Sequence, residues 1–392
     1  MKRVSFIPLL TALAAFLFLL FLPNQWLTPL ITHHTVEKSA FDLDPDMFQG
    51  MQIQKKMLQD SSFLPIYGSS ELSRMDPFHP SNYFHENDPN TIPFLVGRGG
   101  TQSLVHFLNF SATKSELKNK KIVFILSPQW FTPKGIDDVH FEPNFSTQQA
   151  YDFALDSTLS PSLQAKGAKR LLQFDFVKKD KVLTILLNNQ AYPKGDYQQK
   201  AKAVTPLAHL FLNVLTKRDL LLSLFNINMR HLHTSKTLTK DVSWETLNAN
   251  ASAYGKKHTT TNPFGIEDRY YNFRIKDFVP KLKGYRKGQS FASSPEYNDF
   301  KLTLDVLKEA GAKPLFISVP VNGKWYDYAG FPKKGRNDYY QKINKEIKQE
   351  GFPIVDLSSH EYDSYFIKDT MHLGWKGWAY IDHSLVSFTQ KR

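Results

Sequence analysis

The chain has 392 residues, 41% hydrophobic and 22% charged, with 31 Phe and 17 Tyr, a composition that excludes a disordered chain and supplies a packed interior. It has no cysteine, which excludes disulfides, a cysteine nucleophile and thiolate metal sites. A formal net charge of +12 fits either a solvated basic surface or an anionic partner such as lipid headgroups or an acidic polymer; the basic residues come in short scattered groups such as Lys281-Leu282-Lys283, without the aromatic-basic modules of nucleic-acid binders, so nucleic acid is not expected.

In chain order, Lys2 and Arg3 precede Val4 to Leu22, an uncharged apolar run of nineteen residues. At about 1.5 Å rise per residue the run matches a bilayer core of roughly 30 Å. It predicts a single transmembrane helix with a cytoplasmic N-terminus, and hence an anchor over 1–23, a juxtamembrane segment over 24–60 and an extracellular domain over 61–392. The alternative is a cleaved signal peptide. Pro23-Asn24-Gln25-Trp26 lacks a small-x-small cleavage site and places Trp26 for an interfacial belt, which favours the anchor. A helix is expected over 44–59.

Leu64 to Tyr67 reads as a short strand stopped by Gly68. Ile92 to Val96 is a second, followed by a turn holding Gly97, Gly99 and Gly100 and an apolar-periodic segment from Thr101 to Phe110. The third, Lys121 to Leu126, is apolar without interruption after its first residue, as in a parallel strand buried on both faces. Residues 140 to 280 read as a mostly helical insertion, with Pro161 to Phe174 and Pro206 to Phe225 the strongest helices; Lys217, Arg218 and Asp219 argue against a second span there. Ser294-Pro295-Glu296 opens a helix that Gly311 ends. Leu315 to Val319 and Ile354 to Leu357 are strands, separated by an amphipathic helix over Asn337 to Glu350 that Gly351 closes. Strand, glycine turn and helix alternate at both ends of the chain, so the expected class is α/β: a three-layer domain with a central, mainly parallel sheet assembled from both ends.

Gly68-Ser69-Ser70-Glu71 sits where a strand meets a possible helical turn. A serine there either projects its hydroxyl from the carboxyl edge of the sheet, beside a helix N-terminus, or caps the helix. Asp369-Thr370-Met371-His372, near the opposite end, supplies what a serine nucleophile requires: an imidazole base and a carboxylate to orient it. Ser70, Asp369 and His372 are therefore the candidate catalytic residues. Oxyanion donors are expected from the backbone N–H of Ser70, the turn at Gly99 and Gly100, and the side-chain amide of Gln129 after the third strand. Arg98 and His79, flanking the two turns, are candidate substrate contacts. The histidines at 33, 34, 231, 233 and 383 lack the spacing of a closed site, and neither a metal nor a cofactor is expected. The Asn-x-Ser sequons at Asn109, Asn144 and Asn250 arise often by chance and carry no weight.

These blocks resemble, in order, those of SGNH (GDSL-like) hydrolases, with Gly-Ser-Ser in place of Gly-Asp-Ser and Gln129 where that superfamily has Asn. The chain more closely resembles the DltD family of D-alanyl-lipoteichoic acid biosynthesis proteins. The resemblance rests on YGSSELSRMDPFHPSNYF (Tyr67 to Phe84), GRGGTQS (Gly97 to Ser103), SPQWF (Ser127 to Phe131), SVPVNGKWYDYAG (Ser318 to Gly330) and DTMHLGWKGW (Asp369 to Trp378). It implies a cell-envelope protein acting in D-alanylation of teichoic acid with a Ser70-His372-Asp369 triad. The implied partners are lipoteichoic acid, a D-alanyl donor, membrane lipid and membrane-embedded D-alanylation machinery. An esterase or thioesterase using water as acceptor, and a non-catalytic scaffold delivering donor or polymer, are the alternative functions.

Overall fold

Five short segments rich in β-branched and aromatic residues form one parallel sheet in a computed structural model that describes residues 6–43, 48–73, 75–193, 196–225 and 231–390. The strands are β1 (Phe63–Tyr67), β2 (Ile92–Val96), β3 (Lys121–Leu126), β4 (Lys313–Ser318) and β5 (Ile354–Asp356), in the spatial order β2-β1-β3-β4-β5. β3 is central and dry on both faces: Ile122, Val123, Phe124, Ile125 and Leu126 are all fully buried. Its register against β4 is continuous from Lys121 opposite Lys313 to Leu126 opposite Ser318. Strands from the first third of the chain thus pair directly with strands from the last quarter.

The two faces of the sheet carry different cores. Tyr67, Phe94, Phe124 and Phe316 point to one side, where the helices Ser103–Ala112 and Glu296–Ala310 pack. Phe124 sits among His106, Phe110, Trp130, Phe300 and Phe316, with ring centroids 4.9 to 6.5 Å away. Ile66, Val123, Ile125 and Ile317 point to the other side, against Trp375, Trp378 and Ile381 of the C-terminal helix Trp375–Gln390 and Leu247 and Ala251 of the helix Trp244–His258.

Helix termini follow the local chemistry closely. The helix Glu296–Ala310 begins after Ser294, whose hydroxyl accepts from the Glu296 N–H at 3.1 Å, and ends at Gly311 in the left-handed conformation (φ 66°). The helix Lys333–Gln349 starts one turn before the expected Asn337 because Pro332 already sets its entry. Pro206, read as a helix start, lies inside the 30-residue helix Asp196–Phe225, which begins ten residues earlier. The helix expected over 44–59 is seen as Gln52–Gln59, held at its start by the Asp219 carboxylate, which accepts from the Met51 and Gln52 N–H groups at 2.8 and 3.0 Å; residues 44–47 lie outside the described residues.

The expected transmembrane helix is corrected. The N-terminal helix runs only from Ile7 to Phe21, 15 residues, or about 22 Å at the α-helical rise. Leu22, before Pro23, is already extended (ψ 129°), as steric contact with a following proline ring demands. Among the described residues no helix is long and apolar enough to cross a membrane. Lys2, Arg3 and Val4 lie outside the described residues.

Replacing Phe124 by Ala should lower the unfolding free energy by about 3–5 kcal/mol, since five aromatic neighbours would border the cavity. Denaturant titration should show a lower midpoint with an unchanged slope.

Candidate active site

Ser70 stands three residues beyond β1, at the start of a four-residue 3₁₀ turn, Ser70–Ser73. The expected helix N-terminus beside it is therefore absent, and with it the macrodipole that a long helix would supply; Arg74 lies outside the described residues. The turn is fixed by Glu71, whose buried carboxylate accepts from the Ser69 N–H at 2.7 Å. Burial raises the Glu71 pKa, opposed by that hydrogen bond, by the Glu71 N–H and by the charge of His372.

The β1 and β2 turns are pressed together. The Gly68 carbonyl accepts from the Thr101 hydroxyl at 2.7 Å and the His106 Nε2–H at 2.9 Å. His106 is fully buried, and burial pushes its pKa down to about 3, so the ring is a neutral donor. A Cβ on Gly97 (φ 124°) would meet the Gly68 carbonyl oxygen at 2.1 Å, which only glycine avoids. The Ser69 hydroxyl donates to the Arg98 carbonyl at 3.1 Å, clamping the serine turn to the glycine turn.

His372 and Asp369 arrive from the loop that ends in the C-terminal helix. His372 Nε2 lies 2.7 Å from Ser70 Oγ across a sequence separation of 302, and His372 Nδ1 lies 2.8 Å from Asp369 Oδ2. The other carboxylate oxygen, Oδ1, accepts from the Met371 and His372 N–H groups, both at 2.9 Å. Burial pulls the Asp369 carboxyl up, but the hydrogen bond and charge of His372 and the two backbone donors outweigh it and hold it below the usual carboxylate range. An ionised Asp369 keeps the imidazole proton on Nδ1 and leaves Nε2 free to accept from the Ser70 hydroxyl. Ser70 is partly exposed, whereas His372 and Asp369 are buried.

Asn322 anchors this loop. Its side-chain amide donates to the carbonyls of Asp369 (3.1 Å) and Phe264 (3.0 Å), its backbone N–H donates to the Thr370 carbonyl (3.3 Å), and its Oδ1 caps the helix Gly323–Tyr328 through the Trp325 N–H (3.0 Å). An antiparallel bridge between Ile367 and Leu373 closes the loop at its base.

The remaining candidates separate. Gly99 is beside the serine: a Cβ there would stand 3.8 Å from Ser70 Cβ. Gly100 (φ 90°) lies against Asn144 and His140. Gln129 is on the Pro128–Trp130 turn; its Oε1 is buried without a hydrogen-bond partner, and no hydrogen bond joins it to Ser70 or His372 among the described residues. The side-chain amide that does reach the glycine turn is Asn144, which donates to the Gly99 carbonyl at 3.3 Å and accepts from Arg98 Nε at 3.1 Å. Arg98 is thereby held at the rim. His79 lies in the interior, fully buried, accepting from the Ser81 N–H at 3.2 Å and packed edge-on to Trp378 with centroids 4.5 Å apart, a position that does not reach solvent.

Sequence reasoning missed Glu71, His106, Asn144 and Asn322. Asn144 was visible only as part of a chance sequon, and His106 was hidden in an apolar-periodic helix. Glu71 and Asn322 sit inside the family-like segments but carry no spacing that marks them.

Gly97→Ala should destabilise the fold by at least about 1–3 kcal/mol from backbone strain alone and shift Ser70 relative to His372, measurable by thermal unfolding and by reactivity toward a serine-directed fluorophosphonate. Asp369→Asn should lower stability at neutral pH. Because the folded-state carboxyl is depressed below its ordinary 3.8, its stabilisation is complete above that value and is lost as pH falls through the folded pKa, so the parent and variant unfolding curves should converge below about pH 4.

A family model described as DltD protein matches residues 40–390. The chain is 48% identical to Protein DltD of Bacillus subtilis (strain 168) over 392 residues, covering 99% of this chain and 98% of the relative. It is 34% identical over 387 residues to Protein DltD of Staphylococcus aureus (strain NCTC 8325 / PS 47), covering 98% and 96%, and 33% identical over 362 residues to Protein DltD of Lacticaseibacillus rhamnosus, covering 90% and 84%. With a matching family model and relatives aligned over nearly their full length, the chain belongs to the DltD family.

Proposed function

We propose that this DltD-family protein of teichoic acid D-alanylation performs an acyl-transfer step on Ser70 at the cell envelope. The observation that carries the reading is the unbroken chain of hydrogen bonds from Ser70 Oγ to His372 Nε2 (2.7 Å) and from His372 Nδ1 to Asp369 Oδ2 (2.8 Å).

The steps follow from those contacts. Ser70 Oγ attacks the carbonyl carbon of an activated D-alanyl donor while His372 Nε2 takes the hydroxyl proton. Asp369 stabilises the imidazolium that forms. The donor's leaving group departs with the proton returned by His372, and D-alanine is left as an ester on Ser70. A polymer hydroxyl then attacks that ester, giving its proton to His372, which passes it to the departing Ser70 oxygen. Backbone N–H groups at Ser70 and in the Gly99-Gly100 turn are the proposed oxyanion donors. The formal charge of +12 favours capture of a polyanionic acceptor, and each D-alanyl ammonium added to the polymer weakens that attraction and aids release.

Ser70→Ala should abolish D-alanyl esters on the cell-wall polymer when it replaces the parent in cells, and Asp369→Asn should reduce transfer by on the order of 10³- to 10⁴-fold. Intact-protein mass spectrometry after brief exposure to donor should find one alanyl adduct on the parent and none on Ser70→Ala. Unchanged polymer esters in the Ser70→Ala strain would overturn the reading. An adduct that water clears as fast with polymer as without it would assign hydrolysis in place of transfer.

A further inference from the structure

A recess of about 510 Å³ is lined by Glu267, Arg269, Tyr270, Phe273, Arg274 and Lys368, a volume suited to a small ligand or a short piece of polymer. It is built onto the loop that carries Asp369 and His372. The Glu267 N–H donates to the Lys368 carbonyl at 2.8 Å, and the Lys368 N–H donates to the His372 carbonyl at 2.9 Å.

Its charges do not cancel. Glu267 is matched by Lys368, with Nζ 3.5 Å from Oε1, and the Lys368 ammonium also stands 5.4 Å from the Trp375 ring centroid. The neighbouring Asp268 commits its carboxylate to the N–H and hydroxyl groups of Thr260 and Thr261. Arg269 and Arg274 are exposed and have no ion-pair partner among the described residues. Two guanidinium groups, each a planar fork of N–H donors that fits phosphate oxygens in pairs, thus face one opening with no internal anion to hold them. Between them in sequence Phe273 is 82% exposed, an apolar surface for the carbon part of a ligand.

We infer that this recess is the acceptor subsite: Arg269 and Arg274 grip a phosphodiester of a polyol-phosphate chain, and a hydroxyl farther along the same chain is presented to Ser70. The inference rests on the acyl-transfer reading for its acceptor, but the grip itself needs no reactive serine. Because a lipid headgroup offers the same phosphate chemistry, the test separates the two sources. Full-length Ser70→Ala protein is titrated with soluble poly(glycerol phosphate) oligomers and, separately, with phosphatidylglycerol vesicles, and the Arg269→Gln/Arg274→Gln pair is then added, with unchanged thermal unfolding as the folding control.

Oligomer affinity should fall by about tenfold or more in the arginine pair, roughly 1.4 kcal/mol, while Lys281→Gln/Lys283→Gln lowers it less than about twofold, as expected for screened surface charges. Vesicle binding should not respond to the arginine pair. Equal oligomer affinity in the arginine pair and its parent, or an equal loss in the lysine pair, overturns the subsite. Loss of vesicle binding without loss of oligomer binding assigns the recess to lipid and also overturns it. Should Ser70 carry no alanyl group while oligomer binding still depends on the arginines, the subsite stands and the transfer chemistry falls.

Discussion

The close approach of the β1 and β2 turns governs everything that happens at Ser70. The Gly68 carbonyl is held from one side by Thr101 and from another by His106, and Gly97 lies so near that no Cβ fits between them. A buried carbonyl with two donors is fully satisfied, and a turn so tied has little freedom to rotate. Glu71 then locks the next peptide by accepting from Ser69. The Ser70 hydroxyl therefore has its position set by backbone packing before any base arrives. Adding a Cβ at Gly68 would drive it to 2.4 Å from Glu71 Oε1, so the glycine and the carboxylate form one device.

A second constraint brings His372 to Ser70. The loop bearing Asp369 and His372 is tied to the region after β4 through Asn322 and to the segment at Glu267 through Lys368. Each tie uses a backbone carbonyl or N–H of the loop, so the side chains of Asp369 and His372 remain available to each other and to Ser70. The loop's base is closed by the Ile367–Leu373 bridge, and its exit packs Trp375 and Trp378 under the sheet. Positioning in this protein is mostly a matter of where carbonyl groups find donors.

The parts of this architecture legible in the sequence are those in which burial leaves a pattern. Lys121 to Leu126 reads as a central strand because five consecutive apolar residues fit only a sheet dry on both faces, and Gly311 marks a helix end because only its φ suits the left-handed cap. The pairing of Ser70 with Asp369 and His372 was reachable because the chemistry demands those three side-chain types. Pro206 misled, since proline favours a first helical turn yet here sits within a long helix. The N-terminal run misled as well: its hydrophobicity suggested a span, but Pro23 ends the helix, which runs from Ile7 to Phe21 over 15 residues. Gln129 was singled out because its amide directly follows the third strand, whereas the amide that hydrogen-bonds the glycine turn, Asn144, comes from a later turn and leaves no mark in the sequence beyond a sequon.

The serine and its histidine are separated by 302 positions, and the chain between them includes β4, β5 and the whole helical region that precedes them. A polypeptide made from its N-terminus completes the Gly68 turn long before the residues that would take a proton from Ser70 exist. Throughout that interval the hydroxyl is an ordinary alcohol, inert toward an acyl donor and toward water. On the proposed acyl-transfer reading, chemical competence is thus deferred to the final stretch of synthesis, and truncated or half-assembled chains are silent by construction.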